Sequence, residues 1–101
     1  MFGNIKEQVK EAQSEVKADL EQMKIAKTSD NEDVSVIVNG NRKIVDIQIS
    51  ADLLNTADPE NLQQIIKATA NKALDEAEQH AEKAMMDAAK RALPNLGALF
   101  G

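Results

Sequence analysis

The sequence predicts an α+β fold: a long N-terminal helix, a short antiparallel sheet containing a β-hairpin, and a long C-terminal helix. Three observations carry this reading. Apolar residues recur at steps of three and four up to Met23, they recur at every second position on both sides of Asn39-Gly40, and no Gly or Pro interrupts the chain between Pro59 and Pro94.

The first helix is expected from about Asn4 to Met23, because Ile5, Val9, Ala12, Val16, Leu20 and Met23 fall on one side at the helical period. Winding it places Lys6, Lys10, Lys17 and Lys24 in one narrow stripe beside the apolar face, with Glu7, Glu11, Glu15 and Asp19 elsewhere. Such a stripe suits a solvated edge whose Lys stems cover apolar surface, or a surface turned toward phosphates. Lys24 to Ser29 either continue the helix or begin an edge strand, and the polar cluster Thr28 to Asp33 then reads as a turn.

Val34, Val36 and Val38 alternate with Ser35 and Ile37, and Val45, Ile47 and Ile49 alternate with Asp46, Gln48 and Ser50. The two runs make a hairpin with one apolar face. Asn39-Gly40 suits a tight turn between them, since both residues tolerate positive φ. Asp58-Pro59-Glu60 then supplies a capping side chain, a Pro with pre-set φ and an acid in the first turn, so a helix begins there. It should run about 34 residues and about 50 Å.

That helix changes character along its length. Leu62, Ile65, Ile66 and Leu74 in its first half suit a cover for a sheet, whereas Ala77, Ala81, Ala84, Ala88 and Ala92 form a narrow seam for close packing against a second helix. Helix one, antiparallel, is the nearest candidate, with Val9, Ala12 and Val16 as the matching surface. Pro94 stops the helix and leaves a tail bearing Leu96, Leu99 and Phe100. We expect a single domain over residues 1–101 with flexible tails at about 1–3 and 94–101. A helix longer than its own small sheet, in a chain of 101 residues, leaves apolar surface that a second copy would bury.

Composition narrows the function. Without Cys, disulfides, thiolate metal sites and thiol nucleophiles are excluded, and the expected compartment is the cytoplasm. No apolar run approaches the roughly 20 residues of a membrane span, so no membrane partner is expected. The net charge of −5 argues against a broadly basic nucleic-acid coat, so any binding to nucleic acid must use a local cationic patch. Lys83, Lys90 and Arg91 lie toward the same end as Lys6 and Lys10 if the two long helices pair antiparallel, and that end is the candidate patch. With no Tyr or Trp, stacking on unpaired bases is not available, and duplex DNA held through its phosphates is the better ligand.

Candidates for catalysis are few, and we expect no enzyme, no catalytic residue, no metal site and no cofactor. His80 is the only His and stands one turn after Glu76, a spacing that suits a surface pair. Ala77 stands where a Glu-x-x-His di-iron motif needs its Glu. The four Gly residues are scattered without the spacing of a phosphate loop.

Several strings converge on a known pattern: the opening Met-Phe-Gly, Val34-Ser-Val-Ile-Val-Asn-Gly40, the run Ile44 to Leu54 ending in Ser50-Ala-Asp-Leu-Leu54, Pro59 before a long helix with Asn71-Lys-Ala73, and the closing Leu93-Pro with Leu99-Phe-Gly101. The chain resembles the YbaB/EbfC family of bacterial nucleoid-associated proteins over essentially its whole length. The resemblance implies an intertwined, tweezer-like homodimer with a central sheet and two helical arms. It also implies binding to duplex DNA in the nucleoid with little sequence preference. It supplies no contact motif, so Lys6, Lys10, Lys17, Lys83, Lys90 and Arg91 are assigned to DNA from charge placement alone. The alternative is an interaction module whose arms or tail dock another protein, one engaged in DNA recombination or replication.

Overall fold

The computed structural model describes residues 2–92, with side chains from Ile5 to Arg91. The elements in order are α1 (Phe2–Gln22), β1 (Ile25–Thr28), β2 (Val34–Val38), β3 (Ile44–Ile49), α2 (Ala51–Thr56) and α3 (Pro59–Ala92). The expected α+β order of helix, antiparallel sheet and long C-terminal helix is the one observed. The expected tail at 94–101, with Leu96, Leu99 and Phe100, lies outside the described residues. The molecule measures 63 × 24 × 17 Å, and the 34 residues of α3, rising about 50 Å, set its long axis.

The ambiguous stretch after α1 is a strand. β1 runs antiparallel to β2, with Ile25 opposite Val38 and Thr28 opposite Ser35, and β3 pairs on the other side of β2. The polar cluster after β1 is a turn, as expected. The Ser29 N–H donates to the Val34 carbonyl at 2.8 Å, the Val34 N–H donates to Ser29 Oγ at 3.0 Å, and Glu32 takes a left-handed φ of 62° to reverse the chain.

The apolar pattern sorts into two clusters joined by Met23. In the first, Ile25, Val34, Val36 and Val38 are buried against Ala73 and Ala77, where α3 crosses β1 and β2. Alanines on the helix let its axis approach the β-branched surface closely. In the second, Val16 and Leu20 of α1 pack on Ala88 of α3, with Ala12, Ala81, Ala84 and Met85 around them. Residues 8–12 of α1 thus lie beside Ala88 and Arg91, and the helices pair antiparallel as an arm.

The alanine row is therefore not one seam. Ala77 belongs under the sheet, because the sheet extends further along α3 than its first half, and among the described side chains the seam is Ala81, Ala84 and Ala88, Ala92 lying outside them. Of the α1 residues expected in the seam, Val16 is buried and Val9 and Ala12 are half-buried, and Leu20 packs in the same cluster as Val16.

The hairpin turn also departs from expectation. Five residues, 39–43, separate the strands, and the φ of Gly40 is not positive; the left-handed residue of the loop is Arg42, at 64°. The buried Asn39 organises the loop, its Oδ1 accepting from the Asn41 N–H at 2.9 Å and the Lys43 N–H at 3.1 Å. Where β3 leaves the loop, Val38 pairs with Ile44 and Ile37 with Asp46, so Val45 is an extra residue in a bulge and Ile44 takes its register position.

α2 was not anticipated. Six residues are too few to show a helical period, yet Ser50 caps them: its Oγ accepts from the Leu53 N–H at 3.2 Å and donates to Asp33 Oδ1 at 2.8 Å.

Candidate nucleic-acid interface

The six cations singled out by charge placement are all exposed. Lys6, Lys10 and Lys17 repeat at four and seven residues and so share one flank of α1, next to the buried stripe of Val16 and Leu20. None of the three is ion-paired among the described residues, in contrast to Lys27, Arg42 and Lys72, which pair with Glu76 (2.9 Å), Glu78 (3.5 Å) and Asp30 (3.8 Å). All three described ion pairs thus engage cations of β1, the hairpin loop and the sheet-covering part of α3, and none engages the lysine flank of α1.

The other three do not form one surface with them. Lys83 and Lys90, seven residues apart, share a strip of α3 turned away from the seam that Ala81, Ala84 and Ala88 make with α1. Arg91 lies in a hollow lined by Gln8, Glu11, Ala12, Glu15 and Ala88. Glu11 and Glu15 are on the opposite flank of α1 from the lysine stripe, so Arg91 faces acid across the seam. The expected common end is thus present in distance along the arm, while the flanks differ.

His80 is exposed on α3. Its neighbour Glu76 is engaged elsewhere: the hydrogen bond from the Lys27 ammonium, aided by the charges of Lys27 and His80, holds the Glu76 carboxyl below the usual carboxylate value. Among the described residues no cluster of three or more His, Cys, Asp or Glu has the spacing to hold a metal, and no helix is long and apolar enough to cross a membrane.

The residues that charge placement missed are in the hairpin loop. Lys43 lines a cleft with Lys17, Ala18, Glu21 and Asn41, which brings a loop cation to the end of the helical stripe. Its signal in the sequence was Arg42-Lys43 directly after Asn39-Gly40-Asn41, legible only once the loop is placed against α1.

The site is thus a helical arm with one unpaired lysine flank, set on a three-stranded sheet. Residues 1–92 match the YbaB/EbfC DNA-binding family. The chain belongs to this family. Among curated relatives, this YbaB/EbfC chain is 30% identical over 82 residues to a nucleoid-associated protein of Clostridium kluyveri, an alignment that covers 75% of this chain and 72% of the relative. Among solved structures, the YbaB/EbfC chain is similar to an uncharacterized protein from Helicobacter pylori, with a TM-score of 0.77 and 23% identity over 85% of this chain and 90% of the other. At that identity the likeness concerns the fold.

Proposed function

We propose that this chain is a homodimeric nucleoid-associated protein that binds duplex DNA through phosphate contacts with little sequence preference, in the cytoplasm and nucleoid. The observation that carries the reading is the unpaired flank Lys6, Lys10 and Lys17 on an arm of a YbaB/EbfC family member. Counterion release makes such a flank attractive to phosphates even on a chain of net charge −5. Lysines on a smooth helix reach phosphates and carry no code for base edges, which accords with weak sequence preference.

The dimer is supported by β3. Ile44, Ile47 and Ile49 stand opposite Val38, Val36 and Val34, and so share the face on which the core is built. α3 covers β1 and β2 on that face but leaves Ile44 48% and Ile47 41% exposed, with Val45 54% exposed at the bulge. A second copy laid on this strip completes the core face and closes an edge strand that is otherwise open.

The test is a gel shift with duplex DNA comparing Lys6→Glu/Lys10→Glu/Lys17→Glu with Lys83→Glu/Lys90→Glu. Loss of binding in the first variant supports the lysine flank as the contact surface, and loss in the second extends it to the outer strip of α3. Unchanged affinity in both would overturn the phosphate-contact reading.

A further inference from the structure

The hairpin loop is fastened to the end of α1 at two points. The Gly40 N–H donates to the Leu20 carbonyl at 2.8 Å, and Asn41 Nδ2 donates both to the Lys17 carbonyl at 3.0 Å and to Glu21 Oε2 at 2.8 Å. These bonds join residues about 20 positions apart and fix the loop relative to the helical stripe. The two cations of the loop then part. Arg42, turned by its left-handed φ of 64°, reaches Glu78 of α3 at 3.5 Å. Lys43 stays on the other side and lines the cleft with Lys17.

Lys17 and Lys43 are both exposed, and neither is ion-paired among the described residues. The one acid in the cleft, Glu21, is held by the Asn41 amide. Two unpaired lysines therefore line an open cleft together with Ala18, Glu21 and Asn41. The two ammonium charges outnumber the Glu21 carboxylate, so the cleft keeps a net positive charge, and lysines, as point charges without the fork geometry that grips a planar carboxylate, suit a phosphate oxyanion.

We propose that Lys17, on α1, and Lys43, on the hairpin loop, together bind a backbone phosphate of duplex DNA at the foot of the arm. The phosphate track of this protein then does not end with α1 but steps from Lys6, Lys10 and Lys17 onto the sheet. This rests on the duplex-binding reading above and adds to it a contact outside the helical arms, positioned by Asn41.

The experiment is a fluorescence-anisotropy titration of the full chain on a labelled duplex at several salt concentrations, with Lys43→Gln, Lys43→Arg, and Lys67→Gln as a variant of equal charge change on an exposed part of α3 away from the cleft. Lys43→Gln should reduce the slope of log affinity against log salt by about 0.9 for each phosphate released. Lys43→Arg and Lys67→Gln should keep the parental slope. Asn41→Ala, which removes one of the loop's two fastenings to α1 while leaving both cations, should weaken binding in the same direction. A Lys43→Gln slope equal to that of Lys67→Gln overturns the proposal while leaving the duplex-binding reading intact. A parent chain with no salt-dependent binding to the duplex overturns both.

Discussion

Gly40 lies against Leu20 so closely that a Cβ on Gly40 would stand 2.6 Å from Leu20 Cδ2 and 2.9 Å from the Leu20 carbonyl oxygen. The glycine is thus required by contact rather than by backbone twist, since its φ is not positive. Leu20 is buried in the arm cluster and Val38, two residues before Gly40, in the sheet cluster, so this contact joins the two halves of the molecule.

Gly40→Ala should accordingly destabilise the chain by about 1–3 kcal/mol, the usual cost of forcing a methyl into a packed contact. Shortening Leu20 in the same chain should not restore stability, because the clash with the backbone oxygen remains. Urea denaturation of the single and double variants checks both statements.

The arm and the sheet should open separately. Ala88 is 2% exposed where Val16 and Leu20 meet α3, so Ala88→Leu should wedge the helices apart at a cost of about 1–3 kcal/mol. Hydrogen exchange should then quicken in α1 and the last turns of α3, while amides in β2 keep their protection.

Much of this arrangement was legible in the sequence, and the failures share a cause. Long periodic segments such as Pro59–Ala92 announce themselves through many repeats, and the capping Asp58 does accept from the Asn61 N–H at 2.8 Å. β1 offers four residues with one buried side chain, Ile25, too short a run to separate a strand from a frayed helix end. The hairpin turn looked like two residues because Asn39 and Gly40 are turn formers; the five-residue loop depends on hydrogen bonds from Asn41 and Lys43 to Asn39 that local propensity does not encode. Of the candidate interface, the stripe Lys6, Lys10 and Lys17 follows from helical period alone. Lys43 joins it only through the fastening of the loop to α1, and Arg91 leaves it through the acids Glu11 and Glu15 across the seam, both of which are tertiary facts.

Acid should weaken the fold partly through Glu76. Its carboxyl is held below the usual carboxylate value by Lys27, so the folded chain binds that proton less tightly than the unfolded chain. The contribution of the pair is complete above the unfolded carboxylate value of about 4.3 and is lost as pH falls through the lowered folded value. Glu76→Gln should therefore lower the urea midpoint at pH 7 and converge on the parent in the most acidic buffers in which the chain stays folded. Both side chains are more than a third exposed, at 39% and 37%, so added salt should shrink the difference at pH 7.

Ile47→Glu should divide the assembly without unfolding the chain. In one copy the residue is 41% exposed, so a charge there is solvated, but between two copies it would be buried without a partner. Light scattering should report twice 11.0 kDa for the parent and 11.0 kDa for the variant, with unchanged circular dichroism.

The most direct test of the central claim, that paired arms hold duplex DNA by its phosphates, is the affinity of the unsubstituted protein for two duplexes of unrelated sequence at about 50 and 200 mM salt. With six or more phosphate contacts per dimer, affinity should fall by about 10³-fold or more between these concentrations, and equally for both sequences. An affinity that is flat in salt, or confined to one of the two sequences, would contradict it.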